Sequence, residues 1–209
     1  MTETKRTSRA RAKRDQIREG ARRTFLKRGF SGASTDAMAA EAGVSKQTLY
    51  AYYPSKEDLL FDVLRDLIEA GGPQEGLAAA YGAPLGSKEE VRSALSSAAG
   101  RLVAALMRPE YVALVRVVIS ETPRLPHLGE LFRSAVPERV LGGVAGLLGR
   151  AREEGAIRPV DTDAASRMFV GPLLTYVLMD GLFVGDGPPR PPAPERIEEL
   201  VDLFMGAIT

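Results

Sequence analysis

The chain has 209 residues, with 28 Lys and Arg against 27 Asp and Glu, for a net charge of +1. It has no Cys and a single His, His127, which excludes disulfides, thiolate metal sites, Cys nucleophiles and multi-histidine metal centres. The near-neutral total conceals a split: residues 1–60 carry 13 basic and 7 acidic side chains, whereas residues 61–209 carry 15 and 20.

A basic head on an acidic body points to a polyanion as the partner of the head. With 44% hydrophobic and 26% charged residues, the chain has the composition of a folded protein. No apolar run is long enough for a bilayer span. Met1–Arg14 is basic without an apolar segment, unlike a secretory signal. The expectation is a soluble cytoplasmic protein with no membrane contact.

Residues 1–9 are polar and are expected to form a flexible basic arm. Ala10–Arg28 reads as a helix: Ile17, Ala21 and Phe25 recur at four-residue spacing. Gly29 is expected to end it, with Phe30 tucking back. A short helix follows, capped by Ser34 or Thr35, with Asp36 at its positive end. It stops at Ala42-Gly43. Ser45 caps a second short helix, Lys46–Tyr52, and Pro54 breaks the chain. Ser55 caps a longer helix whose stripe is Leu59, Leu60, Val63, Leu64, Leu67 and Ile68.

Gly71–Gly86 is glycine-rich and reads as a loop. Beyond it lie helical stretches at Lys88–Met107, Glu110–Glu121, Leu125–Glu154, Asp161–Phe183 and Glu195–Ala207. The third should break near Pro137, and the fourth should be interrupted at Gly171-Pro172. Val112–Ile119 has strand-like composition, but no partner strand exists elsewhere, so helix is expected. Residues 185–194 form a Pro-rich loop. The fold class is all-α: an N-terminal three-helix head (residues 1–54) and a C-terminal helical body (residues 55–209).

Ser34–Lys56 carries the strongest chemical signal. Two short helices joined by a glycine turn make a helix-turn-helix. Ala39 and Ala42 are small enough for a close crossing, and Gly43 permits the turn. Val44 and Leu49 plug the core, leaving the outer face of the second helix for a major groove. Ser45, Lys46, Gln47 and Thr48 lie near that helix's N-terminus. Gln47 can pair bidentately with adenine, Thr48 can meet a thymine methyl, and Lys46 can reach guanine or phosphate. Tyr50, Tyr52 and Lys56 suit phosphates, which fix register without reading sequence. Ser34 and Thr35, at the first helix start, can hold another phosphate.

Residues Gly29–Leu60, through the GFSGAS-TDAMA, AGVSKQTLY and Tyr-Tyr-Pro-Ser-Lys-Glu-Asp-Leu-Leu runs, resemble the DNA-binding domain of TetR-family transcriptional repressors. Thr35 departs from the family's usual apolar residue. Val117–Arg139 is similar to a C-terminal type common in that family. The resemblance implies a homodimer on double-stranded, pseudo-palindromic operator DNA. It also implies a body that holds a small-molecule effector and the dimer interface.

The apolar body helices supply candidate effector contacts: Leu102, Leu106, Val115, Ile119, Phe132 and Met168, with His127 either lining the pocket or lying on the surface. Phe169, Leu173, Tyr176 and Val177, with Leu200 and Phe204 of the last helix, are either a dimer surface or the closure of the protomer core. Gly142, Gly143, Gly146 and Gly149 suggest either a tight helix crossing or space for a ligand. Glu121 and Arg124 are placed to pair with each other. No general acid/base couple, phosphate loop or metal spacing stands out, so no catalytic residue, metal or cofactor is expected. The function expected is a ligand-responsive repressor released by a mostly apolar effector. The alternative is a constitutive DNA-binding regulator or activator with no effector.

Overall fold

The first helix is set by its charged residues. Arg, Lys, Glu and Ala are strong helix formers, and neither Gly nor Pro interrupts residues 2–19. In the computed structural model, which describes residues 2–69, 82–185 and 187–209, this helix, α1, spans Thr2–Gly32. The expected arm therefore joins the helix. Gly29 ends the regular winding, as expected: at φ 66° and ψ 178°, a backbone setting restricted to glycine, it bends the chain out of the helical conformation, and the helix resumes beyond the bend as far as Gly32. The bend folds Phe30 onto Phe25, with ring centroids 5.9 Å apart.

The next two helices are started by serines. Ser34 caps α2 (Thr35–Glu41) by accepting from the Ala37 amide. Ser45 caps α3 (Lys46–Tyr52) by accepting from the Thr48 amide at 3.1 Å. Gly43, at φ 62°, makes the turn between them. Ser55 accepts from the Asp58 amide at the start of α4 (Lys56–Glu69). Ile17, Ala21, Phe25, Met38, Leu49, Tyr53, Leu59 and Leu60 close the core of the head. α4 packs along α1 and so belongs to the head's bundle.

Of the expected loop at 71–86, residues 71–81 lie outside the described residues. A capping box between Ser87 and Glu90 starts α5 (Lys88–Leu106). Pro109, Pro126 and Pro137 each occupy a first helical turn, where the missing N–H costs nothing. They begin α6 (Pro109–Glu121), α7 (Pro126–Ala135) and α8 (Pro137–Glu153). The strand-like run at 112–119 is helical, and no strand occurs among the described residues.

Asp161 caps α9 (Thr162–Tyr176) through the amides of Asp163 and Ala164. The expected interruption at Gly171-Pro172 does not occur. The helix continues and changes winding five residues later, into a π-helical segment at Val177–Leu182. The proline removes one N–H, while the buried stripe Phe169, Val170, Leu173 and Val177 holds the axis in place. The Arg116 guanidinium donates to the carbonyls of Gly181, Leu182 and Val184 at 3.0–3.2 Å, closing the segment's C-terminal end. Finally α10 (Pro194–Ile208) packs on α5. Arg92 of α5 binds Asp202 at 2.6 Å and Glu198 at 3.0 Å.

Candidate nucleic-acid interface and body cavity

Capping forces the polar starts of α2 and α3 outward, while Met38 and Leu49 point inward. The result is one exposed face that gathers the residues singled out from the sequence. Ser34, Ser45, Lys46, Gln47 and Tyr50 are exposed; Thr35, Thr48, Tyr52 and Lys56 are half-buried. Side-chain contacts tie the two helices together across this face. The Lys46 ammonium lies 3.0 Å from Asp36, and the Tyr50 hydroxyl reaches Thr35 at 3.5 Å. The Ser45 and Thr48 hydroxyls are 2.8 Å apart. The Lys56 ammonium rests 4.2 Å from the centre of the Phe30 ring.

The face is held by contacts that sequence reading missed. Gln16 donates to the Ala42 carbonyl at 2.7 Å. Arg23 donates to the Glu41 carboxylate at 2.7 Å. Gly20 lets α2 approach α1. At the other end of the head, Tyr53 donates to Asp62 at 2.6 Å and accepts from Arg14 at 3.2 Å, and Arg14 also stacks over its ring. Burial, with the hydrogen bond to Asp62, pushes the Tyr53 phenol up to about 12. Arg18 joins the same cluster through Asp62 at 3.9 Å and also pairs with Asp66 at 3.0 Å. These partners lie far apart in the chain, so no local pattern reveals them.

The body holds a cavity of about 600 Å³, open to solvent past Ile119, between α5, α6, α7, α8, α9 and the π-helical segment. Leu102, Leu106, Val115, Ile119 and Phe132 line it. His127 does not: its side chain is 89% exposed, 4.0 Å from Glu130, because it sits in the first turn of α7, about 100° round the helix from the buried Leu128. Met168 does not either. It is 51% exposed, one residue out of phase with the buried stripe of α9, in a shallow cleft beside Leu200 and Leu203. Sequence reading missed Val170, Leu174, Leu178 and Leu182, and placed Val177 elsewhere; all five line the cavity. No charged side chain lines it among the described residues. The Thr122 hydroxyl is used by the Val118 carbonyl at 2.6 Å. The Tyr111 hydroxyl is buried without a hydrogen-bond partner, and burial pushes its pKa up.

The candidate dimer surface needs correction. Phe169, Leu173, Val177 and Phe204 are buried within the protomer, and the Phe169 and Phe204 rings pack 5.2 Å apart. They close the core between α9 and α10; Tyr176 and Leu200 are half-buried beside them. The exposed apolar residues of this region are Met168, Leu174, Leu178, Met179, Phe183 and Leu203. Of the glycines of α8, Gly142, Gly146 and Gly149 fit neither reading, since a Cβ there meets nothing within 4 Å and none lines the cavity; Gly143 is buried on the packed face of the helix, off the cavity. Glu121 and Arg124 meet at a third residue rather than each other, both hydrogen-bonding the Ser31 hydroxyl at 3.4 Å.

A helix-turn-helix with an exposed polar face, joined to a helical body with an apolar cavity, matches known proteins across both parts. The family model of tetR-family bacterial regulatory proteins matches residues 17–63. That of the AefR-like transcriptional repressor C-terminal domain matches residues 93–207. The chain belongs to the TetR family of transcriptional regulators. TetR-family proteins are DNA-binding regulators, not enzymes. The Flavonoid-responsive Regulator FrrA is 30% identical, with a TM-score of 0.70 over 95% of this chain and 97% of its own. A TetR-family regulator from Mesorhizobium loti MAFF303099 has a TM-score of 0.79 at 26% identity, over 95% and 96% of the two chains. The regulator YezE of Bacillus subtilis is 27% identical over 68% of this chain and 71% of its own. No helix among the described residues is long and apolar enough to cross a membrane.

Proposed function

We propose that this TetR-family regulator is a homodimeric repressor, released from a two-fold-symmetric operator by a small, uncharged, mostly apolar effector bound in the body cavity. The observation that carries the reading is the cavity itself: about 600 Å³ of apolar wall with no charged lining residue among those described. A carboxylate or phosphate entering it would lose its hydration without a compensating cation, a cost of several kcal/mol. A neutral ring system or short hydrophobic compound would not. The similarity to FrrA, a flavonoid-responsive regulator, supports an effector of this kind.

On DNA, Gln47 and Thr48 read base edges. Ser34, Thr35, Ser45, Lys46, Tyr50, Tyr52 and Lys56 hold phosphates. Lys46 exchanges Asp36 for a phosphate or guanine, and Lys56 can leave the Phe30 face in the same way. Two chains place their α3 helices about one DNA turn apart, roughly 34–36 Å. The exposed Leu174, Leu178, Met179, Phe183 and Leu203 form the surface that joins them. The effector must favour the conformer that binds DNA less well.

The test has two stages. Selection from random duplex DNA is expected to yield a palindromic site. Neutral apolar compounds, flavonoid aglycones among them, are then titrated against the preformed complex. Release with saturation kinetics supports the reading. Tight binding that no compound relieves leaves a constitutive regulator.

A further inference from the structure

The helix α6 has two buried faces with different neighbours. Tyr111, Val115, Val118, Ile119 and Thr122 line the cavity. Leu114, Val117 and Glu121 are also buried but do not line it. At 100° per residue this second stripe lies about a third of a turn round the helix. Here α6 packs along α1 of the head. At the end of the stripe Glu121, only 6% exposed, accepts from the Ser31 hydroxyl at 3.4 Å. Arg124, in the turn after α6, donates to the same hydroxyl. Ser31 stands two residues beyond the Gly29 bend and three before Ser34, the cap of α2.

A carboxylate this deeply buried is retained at a cost unless its partners hold it. Its side-chain partner Ser31 lies in the other half of the molecule. A shift or rotation of α6 that accommodates an occupant beside Val115 and Val118 must also move Glu121. Glu121 pulls on the segment between the bend and the α2 cap, and that segment sets where α2 and α3 stand. We propose that Glu121, through Ser31, is the positioning residue by which occupancy of the cavity is transmitted to the DNA-reading helices. The proposal rests on the effector reading above and adds the route.

The experiment uses an occupant built into the full-length chain. Val115→Trp places an indole in the cavity, and operator affinity is measured with and without the relay, on the duplex selected above. In the native background Val115→Trp is expected to change affinity at least about fivefold, within the range of allosteric couplings. Ser31→Ala alone, at an exposed position, is expected to leave affinity within about twofold of the native value, yet to reduce the response to Val115→Trp to about twofold or less. Glu121→Leu, close in size and without an acceptor for the Ser31 hydroxyl, is the second variant and is expected to reduce the response in the same way. An undiminished tryptophan effect in both backgrounds overturns the relay and leaves the effector reading standing. No tryptophan effect in the native background overturns the effector reading, and the relay with it.

Discussion

Gly20 of α1 faces Ala42, the C-cap of α2, so closely that a Cβ on Gly20 would lie 2.6 Å from the Ala42 nitrogen. The obstacle is backbone, which cannot rotate away. Ala is preferred to Gly in a helix by about 1 kcal/mol, but overpacking here costs about 1–3 kcal/mol. Gly20→Ala is therefore expected to lower the urea midpoint. Gly142→Ala, where a Cβ meets nothing within 4 Å, is expected to raise it. A stabilised Gly20→Ala would show that the two helices have room to separate.

Tyr53 links stability to alkaline pH. Its folded pKa, about 12, lies above the ordinary value of 10.0. The folded state therefore holds the phenolic proton more tightly than the unfolded state. That contribution is complete below pH 10 and is lost as pH rises towards 12. Tyr53→Phe is expected to lower stability at pH 8 by about 0.5–1.5 kcal/mol, through the lost hydrogen bond to Asp62, whose oxygen keeps Arg14 as a partner. It should also lose less than the native chain between pH 9 and pH 11.5. Denaturation at the three pH values measures both.

Gln47 is exposed on α3. Gln47→Ala is expected to relax base preference at one operator position per half-site, by about 1–3 kcal/mol. Binding to unrelated duplex should stay nearly constant. An unchanged preference at every position removes Gln47 from the base-reading set.

Phosphate contacts set the salt response. With about 6–10 phosphates neutralised, operator affinity is expected to fall about 10³–10⁵-fold between 50 and 200 mM salt. Titration by fluorescence anisotropy gives the slope, and Lys46→Ala should reduce it by about one. A flat response is incompatible with the proposed set of phosphate contacts.

The exposed apolar face of α9, the π-helical segment and α10 is the place to look for chain pairing. Leu203 is 73% exposed. Leu203→Glu is expected to shift the sedimentation coefficient from dimer to monomer, whereas His127→Ala, far out in solvent, should not. A Leu203→Glu chain that stays dimeric places the interface elsewhere.

Local chemistry was legible in the residues themselves. The caps Ser34, Ser45 and Asp161 each bond an amide two or three positions on, and the glycine at the turn has the φ that turn demands. Such signals operate within one helical turn, so they survive in a one-dimensional reading, and with them came the helix-turn-helix and its outward face. A hydrophobic stripe says that a face is buried but not against what, which is why Phe169 and Phe204 turned inward to each other rather than to a second chain. Only the tertiary structure brings Gln16 to Ala42 and Ser31 to Glu121, 26 and 90 positions apart. It also rotates Met168 off the cavity wall and Val170 and Leu178 onto it. Those pairings depend on helix crossing geometry, which many residues set jointly and none encodes alone.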